Sequence, residues 1–245
     1  MNPIPRIGID AMGGDFGPGP VAEGAALALK EWPGRFALTL VGDEAEIRAA
    51  LRKARVAESQ VTVVHAAEKV DMGAKAATAA RKSGTSLGVL MQLHKERQLD
   101  AVFSAGNTGA VVATALLGLG RLEGVSRPAL AAFFPNVAQG TVVLDVGAVA
   151  EVKAPWLVQF AHMGACYARF LLDRPDVRVG LLSIGEEESK GNSLVQEALP
   201  LLKSARGFNF IGPVEGRDVF KGTCDVIVTD GFTGNVLLKI GRAHV

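Results

Sequence analysis

The sequence predicts an α/β fold, a doubly wound, mostly parallel sheet in an α/β/α sandwich, and three observations carry that prediction. Short apolar runs of strand length alternate with helical patterns along almost the whole chain, the pattern of parallel sheets whose crossovers are helices. Hydrophobic residues make up 49% of the 245 residues, enough for a large core. Small, glycine-containing loops follow several of the apolar runs where a strand hands over to a helix.

Strands are expected at Arg6 to Met12, Phe36 to Val41, Val61 to His65, Ala101 to Ser104, Ala129 to Phe134, Thr141 to Val146, Arg178 to Ile184, Phe208 to Ile211 and Val226 to Thr229. Helices fill most of the intervals. Asp43 with Glu46 three residues on reads as a capping box that starts one helix, and Ser193 with Gln196 repeats the pattern before Leu199. Leu87, Leu90, Met91 and His94, and the stretch from Trp156 to Leu172, carry the 3.6-residue period of core-packed helices. No Pro/Gly/Ser linker or repeat clearly divides the chain, so one compact α/β/α unit is expected, with a division into two lobes left open.

Composition narrows the function. Lys and Arg number 26 against 25 for Asp and Glu, a net charge of +1, and no dense basic run stands beside interleaved aromatics. Nucleic acid is therefore not an expected partner. The longest smooth apolar stretch, Ala110 to Leu119, is about half of a membrane span, and the N-terminus lacks signal-peptide regions, so a cytoplasmic location is expected. Cys166 and Cys224 lie far apart without CxxC spacing, and the four His show no HExxH pattern. Reduced, structural thiols and no metal site are expected.

In an open parallel sheet the ligand crevice lies beyond the carboxyl ends of the strands. The segment after the fourth strand, Ser104-Ala-Gly106-Asn107-Thr108-Gly109-Ala110, fits neither GxGxxG nor GxxxxGK[ST]. Its glycines allow close backbone approach, and Asn107 and Thr108 offer side-chain donors, so an anion seat and a simple helix cap both fit. After the first strand, Gly13 and Gly14 permit a tight turn beside Asp10 and Asp15. Asp145 opens DVGA, and Lys190 precedes Asn192 at a helix start, a position suited to a phosphate partner or to a solvated mixed-charge loop. The last strand runs into Asp230, Gly231, Gly234 and Asn235. Four such loops at one sheet edge point to a single crevice. It has no GxSxG, no CxxC and no His, so dipoles, amide donors and a Lys are left to hold an oxyanion or phosphate.

The blocks IGIDAMGGDFGP, SAGNTGA, RPALA, LDVGA, LVQFAHMG, VGLLSIGEEESKGN, FIGPVEGRD and VTDGFTGN occur in this order over nearly the whole chain. Together they resemble the phosphate acyltransferase of bacterial phospholipid synthesis, the PlsX family. The resemblance implies transfer of a fatty acyl group from acyl carrier protein to inorganic phosphate, with the acyl phosphate passed to a membrane glycerol-3-phosphate acyltransferase. It implies no cofactor, a homodimer, a fold similar to phosphotransacetylases and isocitrate or isopropylmalate dehydrogenases, and a cytoplasmic protein able to sit peripherally at the inner face of the membrane. It also assigns Lys190 and Asn235 to phosphate and oxyanion contacts. Ser104, Gly106, Asn107, Thr108 and Gly109 become the phosphate or acyl-phosphate loop, Asp230, Gly231 and Gly234 an opposite wall, and Asp10, Gly13, Gly14, Asp15, Asp145 and Asn192 site-forming residues.

Two departures stand out. DVGAVAE replaces a family pattern nearer DVGANVD, so Val149 and Glu151 alter the polarity of that loop. Residues 1–240 read as a single phosphate acyltransferase domain lacking its C-terminal part, and residues 241–245 as a tail foreign to the family. A truncated or joined reading frame, with exposed apolar surface around the last helix, follows from that reading. The alternatives are a nicotinamide-dependent dehydrogenase, supported only by GLGRLEG at Gly118 to Gly124, and an inactive fragment acting as a scaffold.

Overall fold

A computed structural model describes residues 3–242. Two compact units divide at Gly120 and Arg121, and each has its own sheet. The expected α/β class with mostly parallel strands holds, and all nine expected strands are present. They are shared between two sheets because the connection through residues 119–130 carries no helix that would return the chain to the first one.

The first unit runs β1 (Arg6–Asp10), α1 (Pro18–Glu31), β2 (Ala37–Gly42), α2 (Glu44–Lys53), β3 (Val61–His65), α3 (Ala76–Ala79), α4 (Ser86–Lys95), β4 (Ala101–Ser104) and α5 (Thr108–Gly118). Its parallel sheet has the order β3-β2-β1-β4. Alternation along β2 sends Leu38 and Leu40 toward α1 and α2, where Ala22, Ala25, Ile47 and Leu51 meet them. Val41 points the other way, against Leu90 of α4. Asp43 does cap α2, accepting the Glu46 amide at 2.9 Å. On the α1 side, β1 and β4 border an apolar cavity of about 550 Å³, walled by Ile7, Ile9, Trp32 and Phe103.

The second unit runs β5 (Ala131–Phe134), β6 (Thr141–Leu144), α6 (Ala154–Leu172), β7 (Arg178–Leu182), α7 (Ser193–Ser204), β8 (Asn209–Val214), β9 (Val226–Val228) and α8 (Gly231–Arg242). The sheet order is β5-β6-β9-β7-β8, parallel except for the β5–β6 pair. The central strands are apolar at successive positions because both faces are covered. Val142, Leu144, Val226 and Val228 pack on α6 and α7, while Val143 and Ile227 pack on the face that α8 covers with Leu237 and Leu238. The sequence places the start of α7 one residue late. Asn192 is the cap, accepting the Val195 amide at 3.0 Å, and Gln196 bonds the Glu188 carbonyl instead of closing a capping box.

Along α8, Phe232, Val236 and Ile240 recur one turn apart and are exposed. Of the tail marked off at residues 241–245, residues 243–245 lie outside the described residues.

One ion pair anchors the amino end of β7. Asp225 is almost fully buried, and it accepts the Arg178 main-chain amide at 2.8 Å and the guanidinium at 2.9 and 3.1 Å, with Arg174 at 3.4 Å. Burial pushes the Asp225 pKa up, but the Arg178 side-chain and main-chain hydrogen bonds outweigh it and hold the group below its ordinary 3.8. A carboxylate depressed on folding stabilises the protein above its unfolded pKa and loses that contribution as pH falls. Asp225→Asn is therefore expected to cost roughly 2–4 kcal/mol at pH 7. Urea unfolding of both proteins should show the difference narrowing below about pH 4. A difference independent of pH would show that charge is not what Asp225 contributes.

Candidate functional site

In the first unit the ends of two adjacent strands place Asp10 beside Ser104, which are register partners in β1 and β4. Asp10 is buried; one carboxylate oxygen accepts the Ser104 hydroxyl at 2.7 Å and the other the Met12 amide at 3.1 Å. Ser104 Oγ in turn accepts the Gly106 amide at 3.1 Å. One carboxylate thus ties the turn after β1 to the loop after β4. The turn comes so close that a Cβ on Gly13 would stand 2.9 Å from both Asp10 Oδ2 and the Gly106 nitrogen. Gly14 adopts φ of 89°, a region costly for any residue with a side chain. Asp15 is exposed at the rim.

Asn107 caps α5. Its Oδ1 accepts the Ala110 amide at 2.9 Å, and its Nδ2 donates to the main-chain carbonyls of Met72 at 2.6 Å and Ala74 at 3.3 Å. The side-chain donor expected from Asn107 toward an anion is consequently taken by protein carbonyls. The Thr108 and Gly109 amides begin the helix with no carbonyl four residues back to accept them, and the exposed Thr108 hydroxyl stands beside them. The positive end of the helix dipole coincides with these donors, an arrangement suited to an anion. Cap and anion seat are therefore compatible uses of different atoms of one loop.

In the second unit Asp145 is fully buried just after β6. Oδ1 accepts the amides of Leu130 at 3.0 Å, Gly147 at 3.0 Å and Ala148 at 2.8 Å, and Oδ2 that of Val149 at 2.7 Å. The turn so wrapped then holds the start of α8. Gly231 donates its amide to the Val149 carbonyl at 2.9 Å, and Asn235 Nδ2 donates to the Val146 carbonyl at 3.1 Å. Asp230 caps α8, accepting the Thr233 amide at 2.8 Å and hydroxyl at 2.7 Å. Gly234 packs directly on the turn: a Cβ there would lie 1.9 Å from the Asp145 carbonyl oxygen.

The loop after β7 carries Lys190 exposed, with no carboxylate partner among the described residues, whereas Glu186 pairs with Arg217 and Glu188 with Lys203. Asn192 and Asp230 line a common cavity of about 450 Å³ with Glu151 and Phe232. Lys190 and Asn235 are not among its lining residues.

The four loops are thus distributed in pairs. Asp10, Gly13, Gly14, Asp15, Ser104, Gly106, Asn107, Thr108 and Gly109 belong to the first unit, and Asp145, Lys190, Asn192, Asp230, Gly231, Gly234 and Asn235 to the second. Sequence reasoning missed the carbonyls of Met72 and Ala74 and the amide of Leu130, because main-chain partners leave no mark in residue type. GLGRLEG begins at the last residue of α5 and leads into no helix, so the dinucleotide-loop geometry is absent there. Burial pushes the Cys224 thiol up to about 11, which removes it as a nucleophile near neutral pH.

Solved structures share this architecture. A phosphotransacetylase from Streptococcus pyogenes superposes with a TM-score of 0.68 at 18% identity, covering 98% of this chain and 82% of its own. EutD phosphotransacetylase from Staphylococcus aureus gives 0.67 at 17% identity, with coverage of 98% and 82%. A 4-hydroxythreonine-4-phosphate dehydrogenase from Burkholderia phymatum gives 0.56 at 18%, covering 98% and 84%. At these identities the likeness defines a fold shared by phosphotransacetylases and a dehydrogenase. Sequence goes further. The family described as "Fatty acid synthesis protein" matches residues 5–245. The phosphate acyltransferase of Thermus thermophilus is 50% identical over 242 residues, 98% of this chain and 72% of its own length. That of Dictyoglomus turgidum is 46% identical over 236 residues, 96% and 70%. The chain belongs to this family of phosphate acyltransferases.

The packing of α8 on the Asp145 turn is directly testable. Gly234→Ala inserts a methyl group against main chain that cannot swing aside, and it should destabilise the protein by about 3 kcal/mol. Thermal unfolding measures it as a fall in Tm of roughly 6–12 °C. A wild-type Tm would mean that α8 does not rest on that turn.

Proposed function

We propose that this protein is an acyltransferase that moves a fatty acyl group from a thioester to inorganic phosphate, giving an acyl phosphate for phospholipid synthesis. Its 50% identity to a phosphate acyltransferase across 98% of the chain carries this reading. The residues support it, because phosphate is its own nucleophile and needs only to be held and relieved of charge. A phosphate oxygen attacks the thioester carbonyl, the carbon–oxygen bond forms, and the carbonyl oxygen takes up negative charge. Collapse of that tetrahedral species breaks the carbon–sulfur bond, and the thiolate leaves to be protonated by solvent.

In this reading the Thr108 and Gly109 amides and the Thr108 hydroxyl receive phosphate. Ser104, Gly106 and Asn107 shape that seat, with Asp10, Gly13, Gly14 and Asp15 behind it. Lys190 supplies positive charge and the Asn235 amide a donor to the developing oxyanion. Asp145, Asn192, Asp230, Gly231 and Gly234 fix the loops that carry them. The donor is acyl carrier protein, the working form a homodimer, and the place of action the cytoplasm, close to the membrane acyltransferase that consumes acyl phosphate. No helix among the described residues is long and apolar enough to cross a membrane. The proposed chemistry calls on neither metal nor organic cofactor.

Long-chain acyl carrier protein incubated with the protein and phosphate should release carrier thiol in proportion to phosphate. No phosphate-dependent release would overturn the reading. Lys190→Ala should lower kcat/KM on the order of 100-fold while Tm changes by less than about 2 °C, since the exposed ammonium holds no carboxylate partner among the described residues. A matching loss of stability would make Lys190 structural.

A further inference from the structure

The segment between β3 and α4 has no role in the chemistry just described, yet it concentrates charge. Residues 68–82 contain Lys69, Lys75, Arg81 and Lys82 against Glu68 and Asp71, in a chain whose net charge is only +1. Lys69, Lys75 and Lys82 line a concave surface of about 300 Å³ with Asp71 and Thr78. Lys82 pairs with Glu68 at 3.2 Å, both side chains being 55% exposed. Lys69 and Lys75 are exposed and have no carboxylate partner among the described residues, so their charge is available to another molecule.

The basic surface is fastened to the anion loop. Asn107, the cap of α5, donates to the carbonyls of Met72 and Ala74 in the middle of it. Val70 and Ala74 pack on the cluster of Ala79, Leu87, Met91 and Ala110, the last within the first turn of α5. A partner held by these lysines is therefore carried at the edge of the loop that receives phosphate.

We infer that Lys69, Lys75 and Lys82 form the docking surface for an acidic carrier protein that delivers the acyl thioester. This rests on the acyl-transfer reading above. A protein partner fits better than a lipid surface, because the site is concave and α3 is a single turn of four residues, too short to lie as an amphipathic helix in a membrane interface. Opposed charge across such an interface steers encounter and weakens with salt.

The experiment compares the intact protein with Lys69→Glu/Lys75→Glu, using acyl carrier protein and a protein-free acyl pantetheine as donors. The variant should raise KM for the carrier on the order of tenfold and flatten its salt dependence, while leaving KM for phosphate and kcat/KM for acyl pantetheine within about twofold. Glu68→Gln, which releases Lys82, should lower the carrier KM. An unchanged carrier KM, or equal losses with both donors, would overturn the docking role. Thermal unfolding, with Lys69→Gln/Lys75→Gln as the milder pair, separates misfolding from lost docking. Titration with carrier protein bearing no acyl group reads docking without turnover. If neither donor releases thiol but this binding is lost in the charge-reversed variant, the function reading fails and the docking surface stands. Loss of binding to phosphatidylglycerol vesicles with carrier affinity retained would assign the lysines to lipid and overturn the proposal.

Discussion

Each unit is organised around a buried carboxylate placed just where a central strand ends. Asp10 gathers the Met12 amide and the Ser104 hydroxyl, and Asp145 gathers four main-chain amides. A buried acceptor of this kind is tolerated only when hydrogen bonds replace the water it has lost. Meeting that requirement forces the neighbouring chain to wrap tightly around it. The loops at the carboxyl edge are therefore held by main-chain hydrogen bonds, and they have no need of bulky side chains to define their shape.

Close wrapping explains the glycines. At Gly13 and Gly234 the obstacle to a side chain is the carboxylate itself or the carbonyl of the residue that bears it, so the small residue follows from the buried acid. The first amides of α5, at Thr108 and Gly109, have no intrahelical acceptor, while the Asn107 side chain is used on Ala110 and on the Met72 carbonyl. An anion seat made of amides and a helix dipole changes little with pH and asks nothing of a titrating side chain. That suits a reaction in which phosphate is both ligand and nucleophile.

The proposed docking role of the lysine-rich segment would add a division of labour. In that reading, lysine charge that would compete with the α5 loop for phosphate is set beside it, and the link between the two runs through a neutral amide and two carbonyls. Positioning of a large donor and seating of the small phosphate are then given to different residues of the first unit.

Much of this was legible in the chain. Nine apolar runs became nine strands, because period and length report burial directly. Asp43 and the loops bearing Asp10, Ser104, Asp145 and Asp230 were found where small polar residues interrupt apolar ones. Family membership also followed from linear sequence, since ordered blocks need no coordinates. The sequence misplaced the α7 cap by one residue, because Asn192 and Ser193 are both able to cap and only the backbone angle at Asn192 selects between them. It read one sheet where there are two, since apolar runs carry no record of which strands pair. Most of all, residue type did not distinguish Asn107 as a tether from Asn107 as an anion donor. The choice lay with two carbonyls, of Met72 and Ala74, brought to its amide by the packing of α3 against α5. Identity and local structure are properties of neighbours in sequence, whereas the use of a side chain is decided by partners that only folding brings within hydrogen-bond distance.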